Sequence, residues 1–342
     1  MKSKQATIYE VAAAAGVAIK TVSRVINDET GVSAATREKV REAVRQLSYR
    51  PNRDARNLAS SRSHFLALVF DEAASQFVID IEHGIASAAG EQRHVIVEAV
   101  TGSRLAVVEA VEALLTTSRP DCLILLPPVA DNAPLIQRLD SRGVRYARLS
   151  TRLLGNSSCQ VLLDDADAAQ KMVQYLVSLG HREIGFIRDK EGPETEDLRL
   201  HGYKAGLRNA GISFDPSLVE HGNGSFASGA YAASLLSSNR ARPTAVFAAS
   251  DEMALGVLSF AGRKGLSIPD QLSVCSFGNS NLTQLVWPPL TTVGFSYSLI
   301  AQTAVRRLLT VAEYIGDEVP APSRFAAEIT PGGTTASPAP GS

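Results

Sequence analysis

The stretch Thr7–Asn27, TIYEVAAAAGVAIKTVSRVIN, constrains this chain more than any other. Ile8, Val11, Ala12 and Ala15 recur at the spacing of one helical face, Gly16 stands where that helix must stop, and Val22, Val25 and Ile26 form a second apolar set. The pattern predicts two short helices joined by a tight glycine turn. Such a helix-turn-helix can lay its second helix in the DNA major groove while the first braces it. Ile19, Lys20, Ser23 and Arg24 fall opposite the apolar face of the second helix, where they would meet base edges. Ordinary packed helices share this periodicity, so the charge matters. Residues 1–62 hold twelve Lys and Arg against six Asp and Glu, while the remainder holds 22 against 29. A small basic module on a mildly acidic body suits a DNA reader, because Lys and Arg displace counterions condensed on phosphates.

A third helix is predicted after Ser33 as N-cap, with Val40, Val44 and Leu47 closing a small three-helix core. Pro51 then forces an extended residue before it. The segment Asn52–Ser61, NRDARNLASS, has helical spacing in Ala55, Leu58 and Ala59 but too little apolar surface to be a stable helix alone.

From Phe65 short apolar strands alternate with amphipathic helices (FLALVF, HVIVEAV, CLILL, VRYARL), and a second such series runs from near Val161 through IGFI and AVFAA to SVCSF. This is βαβ repetition, hence an α/β fold of parallel sheets covered on both faces. Thr291–Gly294 reads as a crossover that returns the chain to the first series. The end from Pro331, PGGTTASPAPGS, is low in complexity and is expected to be disordered. With 45% hydrophobic residues and no apolar run of membrane-spanning length, the chain is expected to be soluble and, lacking an apolar segment behind its N-terminal lysines, cytoplasmic. Cys122, Cys159 and Cys275 stand singly in apolar contexts, so reduced buried thiols are expected, with no disulfide, metal or cofactor. No phosphate-binding GxxxxGK[ST] loop or GxSxG elbow occurs, and the six histidines lack metal-ligand spacing. Gly222–Ala227 matches a loose GxGxxA, but without the acidic residue a dinucleotide site needs farther on.

The strings TIYEVAAAAGV…TVSRVIN, GVSAATREKVREAVRQLSYRPN, LGHREIGFI, RLHGYKAGL, SDEMALGVLSFAGRKGLSIPDQLSVCSFG and WPPLTT resemble the LacI/GalR family of bacterial transcription regulators over nearly the whole chain. The resemblance implies a headpiece over residues 1–48, a hinge helix and linker over 49–63, and a two-lobed periplasmic-binding-protein-like core over 64–330. Its N-lobe would comprise about 64–163 and 295–330, its C-lobe about 164–294, with a disordered tail over 331–342. It carries over as DNA-binding residues Thr7, Ile19, Lys20, Thr21, Ser23, Arg24 and Asn27 in the headpiece, and Asn52, Ala55 and Leu58 in the hinge. Leu58 would wedge between base steps when two hinges pair in the minor groove; without the headpiece the same segment reads as a disordered tether. Ala18 stands where the family usually has a phosphate-binding serine. The chain lacks the leucine heptads of the family's tetramers, so a homodimer on a pseudo-palindromic site is implied.

In open α/β lobes ligands bind beyond the carboxyl ends of the strands, here the cleft between lobes. The candidates are Asp71, Ser75 and Phe77, then Arg148 and Ser150, Arg199, Phe226, Ser250 and Asp251, and finally Gly278 and Asn279. Arg199 matches the family's arginine for effector hydroxyls, and its planar fork of donors suits them. Asp251 reads equally well as an effector ligand or as a helix N-cap. Gly278 and Asn279 replace a pair of aspartates, and Ser150 stands where aspartate is frequent, so acceptors for sugar hydroxyls are missing. A sugar or sugar derivative is the implied effector, with an anionic ligand, a non-sugar or an orphan cleft left open. The reading is a non-enzymatic, effector-controlled repressor of a carbohydrate-utilisation operon. A solute-binding protein of the same two-lobed fold is the alternative, and nothing distinguishes inducer from corepressor control.

Overall fold

The computed structural model describes residues 6–26, 30–47, 49, 63–71, 77–90, 93–151, 159–189, 198–311 and 322–339. The chain divides into two compact units, Met1–His64 and Phe65–Ser342. The candidates Asn27, Asn52, Ala55, Leu58 and Ser75, and nearly all of the expected hinge, lie outside the described residues.

The first unit holds α1 (Ile8–Ala15), α2 (Ile19–Ile26) and α3 (Ala34–Gln46). Thr7 caps α1 in a capping box: Glu10 N–H donates to Thr7 Oγ1, and Thr7 N–H donates to Glu10 Oε2 at 2.7 Å. Gly16 ends α1 in the left-handed region at φ 62°, which a glycine adopts without steric cost. Val11, Ala12, Val22, Val25, Val40, Ala43 and Tyr49 form one small core.

The second unit contains two six-stranded sheets. Its elements are β1 (Phe65–Asp71), α4 (Val78–Ala89), β2 (His94–Val100), α5 (Arg104–Thr117), β3 (Cys122–Leu125), α6 (Ala133–Ser141), β4 (Tyr146–Ser150) and β5 (Gln160–Leu163). These precede α7 (Asp165–Ser178), β6 (Ile184–Arg188), α8 (Leu198–Asn209), β7 (Val219–His221), α9 (Phe226–Ser238), β8 (Ala245–Ala248), α10 (Asp251–Lys264) and β9 (Ser273–Gly278). Then follow β10 (Thr291–Gly294), α11 (Tyr297–Val311), β11 (Ser323–Phe325) and β12 (Glu328–Thr330). The strand orders are β11-β5-β4-β3-β1-β2 and β12-β10-β9-β8-β6-β7. All pairings are parallel except β12 with β10. The central strands β3 and β8 are buried throughout, which explains why they read as unbroken apolar runs. In each sheet the strand order reverses beside the first strand, β1 or β6, so a crevice opens at its carboxyl end. Among the described residues no helix is long and apolar enough to cross a membrane.

Two expectations need correction. Residues 328–330, assigned to the N-lobe, pair antiparallel with β10 in the second sheet, with Ile329 opposite Val293. Residues 331–339, expected to be disordered, lie along the second lobe as a hydrogen-bonded strap. Thr334 is fully buried; its Oγ1 donates to Val274 O at 2.6 Å and accepts from Thr291 N at 2.9 Å. Ala336 O meets His181 Nε2 at 2.9 Å, and Ala336 N–H donates to Ser273 Oγ at 3.1 Å. Low apolar content misleads here because the strap is held by paired polar groups rather than by side-chain burial.

Candidate functional site

Within the headpiece unit α2 buries Val22 and Val25 and leaves Ile19 and Lys20 exposed, with Thr21, Ser23 and Arg24 half-buried beside them. The exposed pair is therefore a smaller reading surface than four equally projecting side chains. Ala18 offers no side-chain oxygen; its carbonyl closes the first turn by accepting from Thr21 N at 2.9 Å. Thr7 has a structural task as the N-cap of α1. Tyr9, 69% exposed on the same helix, is a large apolar surface group absent from the sequence-based candidates, and its only sequence signal is an aromatic one residue off the buried stripe.

The second unit gathers its candidates into clusters at the strand ends. In the second lobe Arg199, near the start of α8, donates through Nε to Asp165 Oδ2 at 3.0 Å and through Nη1 to Ala249 O at 2.5 Å. Its guanidinium lies 3.9 Å from the centroid of the Phe277 ring. Burial disfavours its charge, but the Asp165 carboxylate together with Tyr297 and Asp189 outweighs burial and raises its pKa further above the ordinary arginine range. Asp165, the first residue of α7, was missed by sequence reasoning, because the run Asp164-Asp165-Ala166-Asp167 reads only as a helix start. Asp164 is indeed the cap, accepting from Asp167 N–H.

Asp251 is fully buried. It is not the N-cap of α10; that is Ser250, whose Oγ accepts from Met253 N at 3.2 Å. Asp251 instead accepts from Ser276 Oγ at 2.5 Å, Thr292 Oγ1 at 3.2 Å and Ser280 N at 2.8 Å, tying together the ends of β9 and β10 and the loop between them. This explains one of the unusual residues. A Cβ on Gly278 would stand 2.5 Å from Asp251 Oδ2, so no larger side chain fits while that carboxylate stays in place. Asn279 follows in the left-handed region at φ 65°, its N–H donating to Thr292 Oγ1 at 3.1 Å.

Arg148 in the first lobe is fully buried. It donates to Ala130 O at 2.8 Å and pairs with Asp131 at 3.3 Å, while Ser150 Oγ donates to the same Asp131 carboxylate at 2.5 Å. Burial lowers the Arg148 pKa, and Asp131 opposes that shift. Asp131, which the sequence reading did not single out, thus accepts from both Arg148 and Ser150. Asp71 ends β1, and Phe77, just before α4, stacks on Tyr297 with ring centroids 4.2 Å apart. Phe226, the first residue of α9, is 46% exposed. The loop Gly222–Ser225 that had suggested a dinucleotide motif is a capping turn: Asn223 Oδ1 accepts from Ser225 N and Oγ, and Ser225 caps α9.

A small helical unit with an exposed Ile19–Lys20 edge thus precedes a two-sheet unit with polar clusters at its strand ends. Comparison with known proteins decides what this combination is. Residues 7–52 match the model for bacterial regulatory proteins of the lacI family, and residues 173–335 match the periplasmic binding protein-like domain. The HTH-type transcriptional regulator CelR of Thermobifida fusca is 34% identical over 316 residues, covering 90% of this chain and 92% of that protein. This chain belongs to the LacI family. The HTH-type transcriptional repressor CytR of Escherichia coli strain K12 is 31% identical over 335 residues, covering 95% of this chain and 96% of CytR. Among solved structures, the lac repressor dimer bound to operator and the anti-inducer ONPF superposes with a TM-score of 0.81 at 29% identity, covering 97% of this chain and all of that one. The CelR–cellobiose complex superposes at 0.68 with 30% identity, covering 96% and 100%. As a LacI-family member the chain is a DNA-binding transcriptional regulator, and its relatives are regulators rather than enzymes.

Proposed function

We propose that this LacI-family protein is a repressor of a carbohydrate-utilisation operon. It binds a pseudo-palindromic operator as a homodimer and responds to a saccharide effector held between the two lobes. The observation that carries the effector reading is Arg199, braced by Asp165 and Ala249 O against the Phe277 face, at the strand-end position where doubly wound lobes bind ligands. Support for the class of ligand comes from relatives solved with cellobiose and with ONPF. The pairing follows from size, since one headpiece reads only a few base pairs and a two-fold site doubles the contacts. The headpiece would be residues 1–48, with Ile19 against a thymine methyl and Lys20 donating to guanine O6 and N7, backed by Thr7, Thr21, Ser23, Arg24 and Asn27. The hinge residues Asn52, Ala55 and Leu58 would enter the minor groove.

Two substitutions test this assignment. Arg199→Ala should abolish the effector's influence on operator binding yet leave operator affinity within about two-fold, because a mobility shift in the absence of effector depends on the headpiece. Unchanged induction in that variant would place the effector elsewhere. Lys20→Ala should cost ~1–3 kcal/mol and relax preference at one symmetric base pair. If selection from a randomised operator returned the same sequence for variant and wild type, Lys20 would be a phosphate contact only.

A further inference from the structure

The clusters around Arg199 and Asp251 mark the carboxyl ends of the strands of the second sheet. Its amino ends hold a separate cavity of about 450 Å³. Thr244 and Val246 at the start of β8, Leu272 just before β9, and Pro338 and Ala339 of the strap border it. Arg199 meets Ala249 O beyond the other end of β8. Thr244 and Ala249 are five positions apart, roughly 16 Å at about 3.3 Å per strand residue, so the cavity is no extension of the cleft.

Leu236, Val246, Phe260 and Leu272 form the floor, each at most 8% exposed, so carbon lines the depth of the cavity. Arg242 and Asp270 stand exposed at its border. Among the described residues neither side chain makes a hydrogen bond or an ion pair, whereas Arg138 reaches Glu112 and Lys171 reaches Asp167 elsewhere on the lobe surfaces. A guanidinium and a carboxylate thus border one apolar cavity without neutralising each other. The volume falls within the roughly 300–1,000 Å³ of small-molecule sites, which share this plan of apolar walls and a few polar groups.

We propose that this cavity is a second ligand site, taking a zwitterionic amino acid with an apolar side chain, such as leucine or phenylalanine. The carboxylate would face Arg242, the ammonium Asp270, and the side chain the floor of Leu236, Val246, Phe260 and Leu272. Charge decides the head group: a plain carboxylate would meet Asp270 as a like charge and a plain amine would meet Arg242, while a zwitterion offers each an opposite one. The floor decides the side chain, because a saccharide would set hydroxyls against carbon without partners, whereas an apolar group gains by leaving water. The site is independent of the effector reading given above. Its ligand would also touch Pro338 and Ala339, which follow Ala336, whose N–H and C=O are held by Ser273 and His181. Occupancy should therefore tighten the strap.

The test is calorimetry and thermal shift on the full chain with millimolar L-leucine, L-phenylalanine, isocaproate and isoamylamine, and hydrogen exchange to locate the ligand. Leucine or phenylalanine should bind more tightly than isocaproate and isoamylamine, which keep the apolar chain but only one of the two charges. Arg242→Gln and Asp270→Asn should each weaken that binding about five-fold, the scale of an exposed charge contact, without moving the melting temperature of the unliganded protein. Protection should rise at the Thr244, Leu272 and Ala336 amides. Failure of both amino acids to bind overturns the proposal, as does unchanged affinity in either variant, or isocaproate or isoamylamine binding as tightly as the amino acids. Protection gained around Asn279 and Ser280 instead would put the ligand in the cleft and also overturn it. Each of these failures leaves the saccharide reading of the cleft standing.

Discussion

Replacing Thr334 by valine should destabilise the second lobe by about 2–5 kcal/mol, although the two side chains have nearly the same shape. Thr334 Oγ1 serves two buried backbone groups, donating to Val274 O and accepting from Thr291 N–H. Valine serves neither, and an orphaned buried donor or acceptor costs about 1–3 kcal/mol. Backbone pairing of Val274 N–H with Thr334 O, at 2.8 Å, persists in the variant, so the strap should loosen rather than detach. Circular dichroism in urea would read the loss, and hydrogen exchange at Val274 and Thr291 would localise it. A change under about 0.5 kcal/mol would mean the strap adds no stability to the lobe. The same contact has a pH arm through His181, which is 1% exposed and meets Thr244 Oγ1, Ser273 Oγ and Ala336 O. Burial holds its pKa below the ordinary histidine value. A folded-state pKa below the unfolded one means that this contribution is complete above about pH 6.5 and is lost as pH falls through the folded value. Protection factors of the strap amides, which are referred to intrinsic exchange at each pH, should therefore fall in mild acid.

Asp251→Ala should cost about 3–5 kcal/mol and free the loop that joins β9 to β10. It strips the acceptor from Ser280 N–H and from two hydroxyls at once, and only Thr292 Oγ1 has a second acceptor, Ser276 O at 3.3 Å. The variant also removes the carboxylate against which Gly278 is fitted. Denaturation and effector titration together distinguish the two sequence-based readings of this residue. Large destabilisation identifies a strut behind the cleft wall. A nearly unchanged stability with a lost effector response would instead make Asp251 a ligand group, contrary to its three internal donors.

How much of this was legible beforehand follows from the range of each interaction. The headpiece was readable because its determinants are local: Gly16 four residues after Ala12, Ser33 three before Thr36, and an apolar stripe of helical period. The alternation of strands and helices was readable for the same reason. The strand-end rule named Arg199, Arg148 and Asp251, but their partners Asp165, Asp131 and Ser276 lie 17 to 34 positions away and carry no signal of their own. That Ser150 donates to Asp131 cannot be seen from position 150, because the two stand 19 positions apart. The strap was misread for the strongest version of this reason. His181 and Ala336 are 155 positions apart, and composition alone makes the tail resemble a linker.

The central claim is that one chain couples a Lys20-bearing headpiece to a cleft organised on Arg199, and operator binding with and without sugar tests it most directly. Fluorescence anisotropy would use DNA from the protein's own promoter region and random DNA at the same salt, since affinities at different salt are not comparable. The expected result is a pseudo-palindromic site bound by two chains at least about a thousand-fold more tightly than random DNA, with that preference changed by the sugar that raises the melting temperature of the wild type and unchanged by it in Arg199→Ala. Equal affinity for promoter and random DNA, occupancy by a single chain, or a sugar response that survives Arg199→Ala would contradict it.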